Sequence, residues 1–431
     1  MFPEREIRDI LEYVWNNPYS DFYARRFREC GMRSPEDIKT LEDFQALPFI
    51  SRDYLASDPW SLLHENIKKI YQIRATTGTT GKGYAFIFYK ELLRKIPILS
   101  EEAGVSMLLL LCVVENIPFY HNQLREARKP FVLGDIYNLP KTALKAAFAR
   151  IDGIETSPTI ALNFAEHLKK HYDLGRIKAV GITGEILSQN LKARLQEEYP
   201  NATLFNSYGL IETSFLGWQC KRLSMNHTNI FHIHPDIIFY EVIDPQTRKP
   251  VKFGEAGELV VTNLKRMATP LIRYRTGDLA RFLKNECPCG AEGDLIEVMG
   301  RSEYDFIRLG QGIDIDWTRV DNALFVLKDV IKDVQIRVRD KIRDSRLVPI
   351  ISVYIVPADG TSNSEKEIGD LFMNTMMCTT TYSMKKISPE ISLKKAAEMG
   401  LVELEVRFVG SIEKIGHKSR LLLDERSKHS P

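Results

Sequence analysis

The sequence predicts an α/β protein of two domains, and three observations carry that reading. The chain has 431 residues, beyond the size at which a single hydrophobic core usually stops growing. Strand-like and helix-like stretches alternate over residues 154–213, the pattern of a parallel sheet covered by helices on both faces. Near the front, two short apolar runs bracket a loop of threonines and glycines, Arg74-Ala75-Thr76-Thr77-Gly78-Thr79-Thr80-Gly81-Lys82-Gly83.

Bulk properties narrow the class. Lys and Arg total 59 against 57 Asp and Glu, a balance that gives no electrostatic footprint for nucleic acid. The first residues lack the apolar core of a signal peptide. The longest apolar run, residues 105–114, is too short to span a bilayer and reads as a buried strand. Six cysteines are too sparse for a disulfide scaffold in a chain of this length. A soluble, cytoplasmic protein without a membrane partner is expected.

In chain order, residues 4–30 carry helical spacing through Ile7, Ile10, Leu11, Val14, Trp15, Tyr19, Phe22, Tyr23 and Phe27. A helix ending at Leu47-Pro48 precedes a new start at Ser51. Residues 84–89 read as a strand because aromatic and β-branched residues dominate. The loop before it can approach a ligand closely, and its successive N–H groups can cradle an anion, so a polyphosphate is the expected guest. A Walker loop is excluded: five residues before Gly81 stands Thr76, and Gly83 follows Lys82. Further on, a helix is expected over 160–170, a strand over 177–182 leading to Gly184-Glu185, and a helix over 188–199 with Ser188 as its cap. Strands are expected over 231–243 and 257–263. No period of 20 to 50 residues recurs, which excludes a repeat protein.

The Thr/Gly loop resembles the Ser/Thr-Ser/Thr-Gly-Thr-Thr-Gly-Lys signature of adenylate-forming enzymes, more narrowly of phenylacetate–CoA ligases. Four further stretches extend the resemblance. Tyr208-Gly209-Leu210-Ile211-Glu212 is similar to the family's Tyr-Gly-X-Thr/Ser-Glu, with Ile211 where a hydroxyl is usual. Tyr274-Arg275-Thr276-Gly277-Asp278-Leu279 matches the Tyr-Arg-Thr-Gly-Asp-Leu motif. Gly300-Arg301-Ser302-Glu303-Tyr304 resembles the hinge motif, with Glu303 as pivot and Tyr304 in place of an acid. His417-Lys418-Ser419-Arg420, ahead of Asp424 and Arg426, is similar to the family's ending and aligns its catalytic lysine with Lys418. Residues 104–140 have no residue-by-residue counterpart, so the acyl pocket cannot be read. The loop Leu309-Gly310-Gln311-Gly312-Ile313 departs from the family's tunnel loop.

The resemblance implies the adenylate-forming fold, with an AMP-binding and acid-binding domain over 1–302 and a mobile α+β domain over 303–431. It implies ATP, Mg²⁺ and CoA as reactants and cofactor, with a small carboxylic acid as substrate. Thr76, Thr77, Gly78, Thr79, Thr80, Gly81 and Lys82 would clamp phosphates, and Gly184, Glu185, Tyr208, Gly209 and Asp278 would bind the nucleotide. The catalytic residues would be Glu212, which would hold Mg²⁺, Arg301, which would contact the nucleotide, and Lys418, which would neutralise charge on the α-phosphate. Cys220, His232, Cys287 and Cys289 stand where some phenylacetate–CoA ligase-like proteins carry a structural Zn²⁺ site, with His227 and His234 as competing ligands. The same motifs leave open an amine or carrier protein as acyl acceptor, a non-catalytic nucleotide-binding role, and a homodimer.

Overall fold

The chain enters as two helices. Glu4–Trp15 buries Ile7, Ile10, Leu11 and Val14, a spacing of three and four that lines one stripe. Spacing alone predicts one helical run through residue 30; the structure breaks it at Asn17-Pro18 and restarts at Phe22–Glu29. Proline lacks an N–H and pushes the preceding residue out of the helical region. Thr40 then opens the helix Leu41–Gln45 with a capping box. Its hydroxyl accepts from the Asp43 N–H at 3.1 Å, while the Asp43 carboxylate accepts from the Thr40 N–H at 2.9 Å.

The computed structural model describes residues 2–75, 85–90, 103–112, 128–245, 247–301, 306–309, 313–343, 346–380, 390–412 and 422–425. The Thr/Gly loop 76–82, Glu303 and Lys418 lie outside these residues, and for Arg301 only the backbone is described. Two units separate in the chain, residues 1–187 with 195–298, and residues 188–194 with 299–431.

In the first unit, β1 (Gln72–Ala75) and β2 (Phe86–Tyr89), which flank the Thr/Gly loop in sequence, form an antiparallel ribbon. The remaining strands are β3 (Leu108–Leu110), β4 (Phe131–Leu133), β5 (Gly153–Thr156), β6 (Ala179–Thr183), β7 (Thr203–Leu210), β8 (Ser214–Trp218), β9 (Ile230–Ile233), β10 (Ile238–Ile243), β11 (Gly257–Asn263), β12 (Tyr274–Leu283) and β13 (Leu295–Arg301). They form one sheet in the order β4-β3-β5-β6-β7-β8-β9-β13-β12-β11-β10. From β4 to β7 every pairing is parallel. From β7 to β9 and on through β13, and from β12 to β10, the pairings given are antiparallel.

The parallel half follows the expected strand–helix alternation. Helices Leu139–Ala149, Pro158–Leu168 and Gln189–Glu198 connect its strands. Ser188 caps the last of these, accepting from the Leu191 N–H at 2.9 Å. The run 105–114 contributes the buried strand β3 at its centre. Where one strand is expected over 231–243 there are two, β9 and β10. Pro235-Asp236 sits in the turn between them, closed by Ile237 and Ile238 N–H groups donating to the His234 carbonyl.

Arg273, 1% exposed, is the largest fully buried side chain. It meets Glu241 through Nε and Nη2, each at 3.2 Å. Burial pushes the Glu241 carboxyl up and the Arg273 charge pulls it back, leaving it raised. Nη1 donates to the carbonyls of Gln45 and Leu47, the latter at 2.6 Å, and the guanidinium covers the Phe49 ring. Backbone bonds from Ile50 N–H to Arg273 O, and from Arg275 N–H to Ile50 O, lay residues 45–50 along the start of β12.

The second unit has its own core, with Val334, Ile336, Val338, Ile351, Val353, Ile355, Ile368 and Phe372 among its members. Strands Ile331–Arg343 and Arg346–Pro357 form a long antiparallel pair, flanked in parallel by Leu422–Asp424 and Glu403–Phe408. Helices Trp317–Val326, Glu365–Thr375 and Leu393–Glu398 complete an α+β unit. Among the described residues, no helix is long and apolar enough to cross a membrane.

Candidate active site and thiol cluster

The sheet changes from parallel to antiparallel at β7, and β7 carries the Tyr-Gly motif. In open α/β sheets, ligands settle at the carboxyl ends of parallel strands where the topology changes. The β7–β8 hairpin turns tightly over residues 211–213. Ser214 takes φ +65° to enter β8; across the register it faces Leu210, and Gly209 faces Phe215. A Cβ on Gly209 would lie 2.7 Å from the Ser214 carbonyl oxygen, so only glycine fits. The turn presents Glu212, 7% exposed, and Thr213, 1% exposed.

Two carboxylates face this hairpin through tyrosine hydroxyls. Tyr208 donates from Oη to Asp278 Oδ2 at 2.5 Å, and Asp278 is 4% exposed. Thr276 and Gly277, at φ +78°, shape the backbone ahead of it. Thr276 Oγ1 donates to the Leu259 carbonyl at 2.8 Å and accepts from the Asp278 N–H at 3.1 Å. Tyr274, from the same strand, donates from Oη to Glu212 Oε1 at 3.2 Å. Tyr89 of β2 donates to the Ile211 carbonyl. Burial raises the Tyr89 hydroxyl well above the ordinary tyrosine range, which keeps it protonated as a donor.

Gly184, at φ +82°, and Glu185 follow β6 at the same end of the sheet. Thr159 Oγ1 donates to Glu185 Oε2 at 2.6 Å. The structure therefore gathers Tyr208, Gly209, Glu212 and Asp278 and places Gly184-Glu185 at the end of the next strand but one from the hairpin's return. Where the sequence lacks a hydroxyl at Ile211, Thr213 points its own to the Ser214 carbonyl in a long bond of 3.4 Å. Sequence reasoning passed over Tyr274 and Tyr89. Tyr274 is the first residue of the motif that ends in Asp278, so its signal was present; Tyr89 carries none.

The thiol cluster lies in the antiparallel half. The β-register sets His232 of β9 beside both Trp218 of β8 and Leu295 of β13. Cys220 follows β8, while Cys287 and Cys289 lie on the turn between β12 and β13. One ligand atom from each of Cys220, His232, Cys287 and Cys289 lies within 4.8 Å of every other. Cys220 and Cys287 sulfurs are 3.5 Å apart, and Cys289 Sγ is 3.3 Å from His232 Nε2. Sulfurs about 2.3 Å from one tetrahedral ion stand about 3.8 Å apart, so the set fits a zinc-sized cation and is too open for a disulfide. Burial pushes the Cys220 thiol up to about 12 and lowers His232. Burial also raises Cys287, but the Cys289 backbone N–H and the neighbouring thiols reverse it, leaving that group below its ordinary value. Among the described residues neither His227 nor His234 joins the cluster.

Comparison with known proteins agrees with this geometry. Residues 135–268 match the AMP-binding enzyme family. Over 360 residues the chain is 25% identical to a phenylacetate-coenzyme A ligase of Thermus thermophilus, covering 78% of this chain and 77% of the relative. It is 26% identical over 323 residues to the phenylacetate-coenzyme A ligase of Escherichia coli, covering 70% and 72%. A crystal structure of 2-hydroxyisobutyryl-CoA ligase in the postadenylation state superposes with a TM-score of 0.71 at 18% identity, covering 99% of this chain and 89% of that one. The chain carries an AMP-binding enzyme domain and has the fold of the adenylate-forming enzymes. Within that class it is phenylacetate–CoA ligase-like.

Proposed function

We propose that this protein activates a carboxylic acid with ATP to an acyl-adenylate, releasing pyrophosphate, and passes the acyl group to the thiol of CoA. The observation that carries the reading is the pairing of Tyr208 with Asp278 at 2.5 Å beside the buried Glu212. It rests also on the similarity to phenylacetate-coenzyme A ligases over three quarters of the chain.

An aromatic ring offers a face to a purine. An ionised carboxylate accepts without donating and so suits two ribose hydroxyls. Tyr208 is assigned to adenine and Asp278 to the ribose, with Gly184-Glu185 and Gly209 completing the nucleotide walls. Glu212 would hold Mg²⁺, a hard cation that favours carboxylate oxygen, and the bound ion would neutralise phosphate charge. Thr76, Thr77, Gly78, Thr79, Thr80, Gly81 and Lys82 would fix the leaving phosphates. Arg301 and Lys418 would stabilise charge on the α-phosphate as the substrate carboxylate attacks it. In the second step the thiol attacks the acyl carbon and AMP leaves. Domains of 1–302 and 303–431, with Glu303 as the pivot, a structural zinc at the thiol cluster, and a cytoplasmic location belong to the same proposal.

The test separates the half-reactions. Lys418→Ala should lose acyl-adenylate formation by roughly a hundredfold or more, yet convert synthetic acyl-adenylate and CoA to thioester at a near-normal rate. Equal damage to both would make Lys418 structural. Pyrophosphate exchange with a panel of aryl, arylacetic and aliphatic acids identifies the substrate, and no exchange with any acid would refute catalysis.

A further inference from the structure

We infer that Tyr274 is a positioning residue for the metal-holding carboxylate Glu212, and that it belongs to a crossed pair of tyrosine–carboxylate bonds joining the β7–β8 hairpin to β12. The inference rests on the nucleotide and metal roles proposed above.

The pair is reciprocal. Tyr208 of β7 donates to Asp278 of β12, while Tyr274 of β12 donates to Glu212 on the turn that follows β7. These two segments are not neighbours in the sheet: β13, β9 and β8 lie between β12 and β7. Among the described residues no ladder pairs them directly, and the two side-chain bonds bridge them across the intervening strands. Tyr274 is 1% exposed and Glu212 is 7% exposed, so the bond between them is shielded from bulk water. Tyr89 steadies the same turn from β2 through the Ile211 carbonyl.

Glu212 has two oxygens, and the Tyr274 hydroxyl engages Oε1. That bond sets the rotation of the carboxylate about its last torsion and leaves Oε2 to meet a cation. Groups that hydrogen-bond a metal's own ligands fix their orientation in this way, and losing one typically weakens metal affinity 10–100-fold. Tyr208 does the corresponding work for Asp278. The hydroxyls thus divide the nucleotide between them, Tyr274 serving the phosphate–metal end and Tyr208 the ribose end.

The experiment is calorimetric titration of ATP into the full chain, with and without Mg²⁺, for wild type, Tyr274→Phe and Glu212→Gln, with a thermal melt of each. Wild type should bind ATP more tightly with Mg²⁺ present. Tyr274→Phe should lose about tenfold of the Mg²⁺-supported affinity, keep its metal-free ATP affinity within about twofold, and melt as wild type does. Glu212→Gln should lose the Mg²⁺ effect altogether. Equal weakening of both titrations in Tyr274→Phe, or no change in either while Glu212→Gln loses the Mg²⁺ effect, overturns the inference and leaves the role of Glu212 standing. A Glu212→Gln protein that keeps the full Mg²⁺ effect overturns both. If Tyr274→Phe melts lower, Tyr274→p-aminophenylalanine puts an N–H donor where the hydroxyl stood, and its failure to restore the Mg²⁺ effect overturns the positioning role.

Discussion

The two halves of the large sheet hold their polar groups in opposite ways. At the nucleotide end, each buried carboxylate already has a protein donor: Tyr208 for Asp278 and Tyr274 for Glu212. At the thiol cluster, the groups that meet are of one kind. Three thiols and an imidazole face one another within 4.8 Å, and His232 Nδ1 is buried with no partner among the described residues. Burial and mutual proximity work against charge on Cys220. The first arrangement is complete without a ligand and ready to receive one. The second would gain stability from a cation, because one ion can satisfy three thiols and an imidazole at once.

This contrast is broken most directly at the cluster. Purified protein should carry about one Zn²⁺ per chain by elemental analysis, one tetrahedral site closing around one ion. Removing that ion by chelation, or replacing a ligand with Cys220→Ser, should lower the unfolding free energy by about 4 kcal/mol or more, the scale reached when a structural metal is lost. ATP affinity measured below the melting temperature should move less than about twofold. A metal-free protein of unchanged stability would remove the zinc assignment.

The reverse pattern is expected at Asp278. Asp278→Ala deletes a charged acceptor of paired hydrogen bonds, so ATP should bind about 2–3 kcal/mol more weakly, while the melting temperature stays near wild type. Calorimetry showing unaltered ATP binding would take the ribose role away from this residue.

The smallest effect sharpens the comparison within the nucleotide end. Gly209→Ala forces a methyl against the Ser214 carbonyl, and overpacking of this kind typically costs about 1–3 kcal/mol. Because the strain falls on the turn carrying Glu212, Mg·ATP affinity and stability should fall together. A variant with wild-type values for both would mean that the hairpin relaxes without moving its carboxylate.

Much of this was readable from the residues because local chemistry dictates it. The spacing of Ile7, Ile10, Leu11 and Val14 set a helical stripe, Ser188 announced a cap, and Tyr208, Glu212 and Asp278 stood in motifs of fixed order. Sequence reading ran out where meaning depends on residues far apart. Helical spacing continued across Asn17-Pro18, although the proline itself marked the break. In 231–243 the apolar residues outweigh Pro235-Asp236 and spell one strand, where the structure turns at that proline. The Tyr274–Glu212 bond spans 62 residues, and nothing local to either side chain specifies the other. His232 was one of several candidate histidines until the register of β8, β9 and β13 singled it out.

Arg273 bears on where this protein can be divided. The match to the AMP-binding enzyme family begins at residue 135, which invites an excised fragment starting there. Such a fragment would retain Arg273 and Glu241 but lose the Gln45 and Leu47 carbonyls, the Phe49 ring and the backbone partner at Ile50. A guanidinium built for a sealed interior would face water or a void, and the strand leading to Asp278 would lose its edge support. Residues 45–50 thus brace the start of β12, inseparable from a motif that lies more than two hundred positions downstream.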